Sequence, residues 1–151
     1  MIVIQDTREQ IPWDFTFLGI EQKVKKLDTG DYSLEGFEDI LCIERKRSTG
    51  EIAINLGSKN KTFVKELDRV MEFEHKFLIC EFSIKTLLSF PAFSGIPKDK
   101  LKFIKMNANY MISLLQKYED KYGLEIIYCN DTNEATNVAY EIMKEIYDKR
   151  K

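Results

Sequence analysis

Three carboxylates and a lysine stand in an order that could handle a divalent cation and a phosphate. Glu9 closes the run Asp6-Thr7-Arg8-Glu9, Asp31 follows the turn glycine Gly30, and Glu44 lies two positions before Lys46. Residues two apart on a strand share a face, so Glu44 and Lys46 project together while Arg45 points the other way. Asp31, on the adjacent strand or turn, could meet Glu44 and form a hard-oxygen pocket suited to Mg²⁺ or Mn²⁺. Lys46 would stand beside such an ion, placed to lower the pKa of its bound water or to offset negative charge building on a phosphate. Asp, Glu and Lys are common, and the gap from Asp31 to Glu44 is loose. The spacing alone therefore also fits a solvated strand end with ordinary surface ion pairs.

Strands are needed to carry these groups. Residues 1–5 form a short run rich in β-branched side chains, and the apolar run 40–43 leads directly into Glu44-Arg45-Lys46; both read as strands buried near their centres. Residues 23–27 are a weaker strand, followed by a turn at 28–31 and an extended piece at 32–34. The expectation is a strand, turn, strand meander that brings Asp31 and Glu44 to one end of neighbouring strands. Thr62 is a candidate N-cap for a helix over 62–73 with Phe63, Leu67 and Val70 on one face, and 77–82 reads as a buried strand. Pro91, Gly95 and Pro97 punctuate 89–100, the best candidate for a mobile segment. Leu101, Ile104, Ala108, Met111, Leu115 and Tyr118 then repeat at helical spacing and predict one long amphipathic helix. Gly123 ends it, 124–129 is a strand, and Asp131 or Thr132 caps a last helix with Ala135, Val138, Ile142 and Ile146 on one face. This order predicts an α/β domain, residues 1–151, whose central mixed β-sheet is flanked by helices on both faces.

Composition removes other classes. With 151 residues, 44% hydrophobic and 32% charged, the chain has core enough for a compact fold and is not low-complexity. Its net charge of −2 is not that of a basic nucleic-acid coat. No apolar run approaches the roughly 18 to 20 residues that span a bilayer, and the start lacks a basic segment followed by an apolar one. The expectation is no membrane and an intracellular, cytoplasmic location. Cys42, Cys80 and Cys129 sit among apolar neighbours and read as reduced core residues. The only histidine, His75, follows Glu72-Phe73-Glu74 at a helix end, where the helix dipole accounts for it.

The order of Asp31, Glu44 and Lys46 is that of the PD-(D/E)xK nucleases, with Gly30 in place of the proline. The blocks Asp6-Thr7-Arg8-Glu9, Gly30-Asp31-Tyr32 and Glu44-Arg45-Lys46 together resemble the nuclease domain of the XPF/Hef family of structure-specific endonucleases. Phe63, Glu66, Leu67 and Arg69 look like the helix after the family's catalytic strand, and 78–81 like its next core strand. The resemblance implies a restriction-endonuclease-like fold and Mg²⁺- or Mn²⁺-dependent hydrolysis of DNA phosphodiesters at branches, flaps or forks, in repair or recombination. It makes Asp31 and Glu44 the primary metal ligands, with the backbone carbonyl of Arg45 and Glu9 as further ones. Asp6 and Arg8 would organise the site, and Lys46 would be the catalytic lysine. The family's acid four residues after the lysine falls on Gly50, so Glu51, one position later, is the substitute. Tyr32 is equally a core aromatic or a substrate contact, and Arg45 could instead pair with a structural carboxylate.

Between residues 45 and 69, seven cations face three acids, a local charge of +4 in an acidic chain. Arg47, Lys59, Lys61 and Lys65 are the expected DNA-backbone contacts, with 55–62 read as a polar loop leading into a helix N-terminus. Family members often add a helicase module and a paired helix-hairpin-helix module, neither of which is expected within these 151 residues. A DNA-targeting partner protein, or a homodimer through the long and last helices, could supply affinity. The alternatives are a non-catalytic nuclease-fold scaffold subunit and a restriction-like or recombination nuclease sharing only the core motif.

Overall fold

The computed structural model describes residues 1–150. Six strands form one sheet in the order β2-β1-β3-β4-β5-β6: β1 Ile2–Gln5, β2 Glu21–Val24, β3 Tyr32–Leu34, β4 Leu41–Lys46, β5 His75–Cys80 and β6 Glu125–Tyr128. Strands β2 and β1 are parallel, β3 is antiparallel to both β1 and β4, and β4, β5 and β6 run parallel. The mixed sheet and flanking helices match the expected fold class. Every residue of β4 is buried, as a central strand requires.

Six helices cover the sheet: α1 Thr49–Leu56, α2 Asn60–Val70, α3 Ile84–Leu88, α4 Lys98–Leu101, α5 Ala108–Tyr122 and α6 Thr132–Lys149. Cys42, Leu78 and Cys80 pack with α1, α2 and α5 on one face, through Ile52, Phe63, Leu67, Met111 and Leu115. Leu41, Ile43 and Ile79 pack on the other with Trp13, Phe15, Tyr32 and the α6 residues Ala135, Ala139 and Met143. Alternation along β4 therefore sends Glu44 and Lys46 towards α1 and α2, and Arg45 towards Trp13 and α6. All three cysteines are free and buried. Among the described residues, no helix is long and apolar enough to cross a membrane.

Several expectations need correction. Strand β2 ends at Val24 and pairs in parallel with β1, which separates it from β3, so there is no β2–β3 meander. Directly after β4 comes α1, a helix not anticipated from the sequence and whose last two residues were expected as loop. Ser48 caps it, its hydroxyl accepting the Glu51 N–H at 3.1 Å, while Glu51 Oε1 accepts the Arg47 N–H at 2.8 Å, a close variant of a capping box. The expected 55–62 loop is the end of α1, a short turn and the start of α2. Thr62 lies inside α2, whose N-cap is Lys59. The long helix is two helices, because Asn107 caps a new start, its side chain accepting the Tyr110 N–H at 2.9 Å. His75 opens β5 rather than ending a helix. Asp131 does cap the last helix, accepting the Glu134 N–H at 2.8 Å.

Candidate active site

The site lies where the ends of β1 and β4 meet the start of β3. The Asp31 N–H donates to the Ile43 carbonyl at 2.8 Å, and Asp31 Oδ2 accepts the Arg45 N–H at 2.8 Å. These two bonds bracket Glu44 and hold Asp31 opposite it. Gly30 permits the approach: its φ is +89°, and a Cβ there would lie 2.7 Å from Cys42 Sγ. Asp31, Glu44 and Gly30 line a polar cavity of about 170 Å³ together with Arg8, Asp28, Thr29, Glu66 and Arg69.

The two carboxylates differ from ordinary surface acids. Glu44 is 9% exposed, and its carboxylate, which lines the cavity, makes no hydrogen bond or ion pair among the described residues. Burial, and then the neighbouring charge of Asp31, push its pKa up to about 8, against the pull of Lys46. Burial likewise raises Asp31 to about 6, with Glu9 and Glu51 adding to the rise while the Arg45 N–H and Lys46 oppose it. Acids this close share their protons as a set. Lys46 is also buried, and its ammonium lies 5.3 Å from the centre of the Phe63 ring.

Asp6 and Arg8 brace the floor. Burial raises the Asp6 pKa, but bonds from the Arg8 guanidinium at 2.6 Å, the Leu27 N–H at 2.8 Å and the Arg8 N–H outweigh it and hold Asp6 below the usual range. Arg8 also reaches the Leu27 carbonyl at 3.0 Å. Arg45 lies on the opposite face, its guanidinium 5.0 Å from the Trp13 ring centre. It donates to the Ile11 carbonyl at 2.6 Å, to Glu9 Oε1 at 3.4 Å and to Glu81. Tyr32 is fully buried, stacked on Trp13 at 4.7 Å with its hydroxyl accepting the Trp13 N–H at 2.7 Å, so it is a core aromatic.

The structure thus brings Asp31 and Glu44 to one cavity with Arg8, with Lys46 on the same face of β4 as Glu44 and, like Glu9 and Glu51, within electrostatic reach of Asp31. Glu9 is drawn to Arg45, and Glu51 caps α1. Arg47, Lys59, Lys61 and Lys65 are exposed, the last two on α2 beside the cavity residues Glu66 and Arg69. The carboxylates of Asp28 and Glu66 were not named as site residues from the sequence, although Glu66 and Arg69 were among the residues of α2 that carried the resemblance. Glu81 was also missed, standing one position past a buried strand, where it receives Arg45, Trp13 Nε1 at 3.0 Å and Thr132 Oγ1 at 2.5 Å. Among the described residues, no three His, Cys, Asp or Glu side chains form a ready-made metal cluster. Even so, a carboxylate that makes no hydrogen bond and opens on a polar cavity beside a second acid fits a hard cation.

Comparison with known proteins settles the family, because residues 5–142 match the ERCC4 domain. The chain belongs to the ERCC4 domain family. An XPF from Aeropyrum pernix shares this ERCC4 fold at a TM-score of 0.73 and 18% identity, covering 97% of this chain and 65% of the other. The XPF from Aeropyrum pernix in complex with DNA gives a TM-score of 0.70 at 18% identity, covering 98% and 66%. The chain spans about two thirds of the length of these XPF chains. No curated protein matches the sequence. The ERCC4 match contains every block that the sequence brought forward, from Asp6 to Lys46, and reaches into α6.

Proposed function

We propose that this ERCC4 domain is a divalent-metal-dependent DNA endonuclease acting at branched, flap or fork structures, in repair or recombination. The observation that carries the reading is the buried, partnerless Glu44 facing Asp31, with Lys46 on the same face of β4. Asp31 and Glu44 would hold Mg²⁺ or Mn²⁺, with the Arg45 carbonyl and Glu9 completing the set and Glu51 as the substitute acid. When bound, the ion supplies an activated water and charge neutralisation at the phosphate. Lys46 offsets the negative charge that builds on the scissile phosphate. Its burial keeps the surroundings poorly screened, so that charge acts strongly at short range. Arg8 and Asp6 fix the end of β1 against the turn carrying Asp31. Arg47, Lys59, Lys61 and Lys65 hold the DNA backbone and confer salt sensitivity. Targeting comes from a partner protein or a second copy of the chain.

A cleavage panel with flap, fork, four-way junction, linear duplex and single-stranded DNA, each under Mg²⁺ and Mn²⁺, tests the reading. Cutting that disappears in Lys46→Ala and Asp31→Asn supports it; full-rate cutting by either variant overturns the site assignment.

A second reading, a non-catalytic scaffold, has one observation in its favour. Where the family carries an acid, Gly50 has no room for one: a Cβ would lie 2.3 Å from the Ser94 carbonyl oxygen. Calorimetry with Mn²⁺ separates the two readings, since a scaffold shows no binding dependent on Asp31 and Glu44.

A further inference from the structure

We infer that residues 84–106 form a second DNA-contacting surface, on which Phe93 stacks against an unpaired base beside the cleavage site; this rests on the reading above that the partner is DNA. The segment carries Lys85, Lys98, Lys100, Lys102 and Lys105 against Asp99 alone, a net +4 in a chain whose total is −2. All five lysines are exposed. Among them stand two exposed aromatics, Phe93 at 86% and Phe103 at 72%, the latter with the Lys102 ammonium 5.2 Å from its ring centre. Exposed rings framed by cations are the equipment of single-strand recognition, in which bases stack on aromatics and phosphates meet ammonium groups.

Phe93 is presented by a loop that packs against the core on both sides of it. Its backbone has φ +61°, a conformation a bulky side chain rarely adopts, and its neighbours hold it there. Phe90 packs against the core, and Ser94 is 3% exposed. Ser94 also donates its N–H to the Pro91 carbonyl at 3.2 Å and accepts the Ile96 N–H on its hydroxyl at 3.2 Å. The loop closes directly on Gly50, in the first turn of α1, where a Cβ would meet the Ser94 carbonyl. Because α1 follows β4 after only Arg47 and Ser48, that contact sets the loop beside the strand carrying Glu44 and Lys46. At its other end the segment joins the backbone-contact region, since Phe103, Ile104, Lys105 and Met106 share a recess of about 260 Å³ with Gly57 and Ser58, next to Lys59. The charge and aromatic surface therefore runs from the exit of β4 to the start of α2. A duplex offers no base face to Phe93, whereas a branch with splayed bases does.

Binding without metal tests this separately from cutting. Anisotropy would compare a blunt duplex with the same duplex carrying a single-stranded flap and 2-aminopurine at the branch, in EDTA at fixed salt. Phe93→Ala should weaken flap binding by about 5- to 100-fold and remove the quenching of 2-aminopurine. It should change duplex binding by less than about twofold, and Phe93→Trp should retain both signals. An unchanged flap affinity and quench in Phe93→Ala, or an equal loss on both DNAs, overturns the inference. So does a change in molar mass between wild type and Phe93→Ala without DNA, which would assign the face to a second copy of the chain. Flap binding with a Phe93-dependent quench but no cleavage under Mg²⁺ or Mn²⁺ defeats the nuclease reading and leaves this one standing. Wild-type flap affinity and cleavage in Phe93→Ala does the reverse.

Discussion

Asp31 accepts the backbone N–H of Arg45 through Oδ2 at 2.8 Å, so one carboxylate both closes the β3–β4 junction and faces Glu44. That double use explains how the backbone holds two acids together at this junction. The backbone bonds on either side of Glu44 fix its position, and the cost appears as pKa values raised first by burial and then by neighbouring carboxylates. Arg45 is itself clamped from the other face by Glu81, so β4 is held from both sides at the residue between the acid and the lysine.

For Asp31→Asn we predict intact folding with lost metal chemistry. The variant amide oxygen can still accept the Arg45 N–H, and removing a buried carboxyl whose charged form is disfavoured should stabilise the metal-free protein near neutral pH by on the order of 1 kcal/mol. Mn²⁺ affinity and cleavage should fall by at least about 100-fold. Calorimetry and thermal melting check the pair of effects; a lower melting temperature with unchanged Mn²⁺ affinity contradicts the assignment.

The raised carboxyls give a pH dependence of definite sign. Without metal, the folded state holds protons on Asp31 and Glu44 that the unfolded chain releases near pH 4. Their contribution is therefore greatest below that pH and is lost as pH rises through about 6 and about 8. Metal binding needs the deprotonated acids, so Mn²⁺ affinity should climb over the same interval, with proton release. Melting curves of wild type minus Asp31→Asn/Glu44→Gln isolate these groups from Asp6, whose lowered pKa acts in the opposite sense. A difference curve in which stability rises with pH, or metal binding without proton release, would falsify this account.

The strands that carry the chemistry were legible because buried apolar runs and turn glycines state themselves locally: 40–43 running into Glu44, Gly30 before Asp31. What escaped was set by contacts distant in sequence. Helix α1 includes Gly50, a poor helix residue, kept because the Ser94 backbone occupies the space of a side chain. The helical spacing of Leu101 and Ile104 continues into α5, yet Asn107 restarts the helix, a competition that periodicity cannot see. Glu66 reaches the site only through the packing of α2, and Glu81 only through an ion pair across 36 positions.

Glu81 yields a stability prediction. Its side chain is 5% exposed and receives Arg45, whose side chain is 3% exposed, together with Trp13 and Thr132. Glu81→Ala strands a buried guanidinium and should cost about 3–5 kcal/mol in urea unfolding. Glu81→Gln keeps an acceptor and should cost less. Similar losses in both variants would mean that acceptor geometry, not charge, holds Arg45.

Gly50 decides whether the missing family acid can be put back. In Gly50→Ala the new methyl carbon would meet the Ser94 carbonyl oxygen at 2.3 Å and Ile96 Cγ1 at 2.9 Å, so the backbone at 94–96 must move. Overpacking of this kind costs about 1–3 kcal/mol. Gly50→Asp adds a carboxylate against that same carbonyl oxygen, so it should destabilise further and leave Mn²⁺ affinity no higher than in the wild type. If Gly50→Asp tightened Mn²⁺ binding while the melting temperature held, the loop would be free to withdraw, and the close fit between Ser94 and α1 would not be what keeps an acid out of this position.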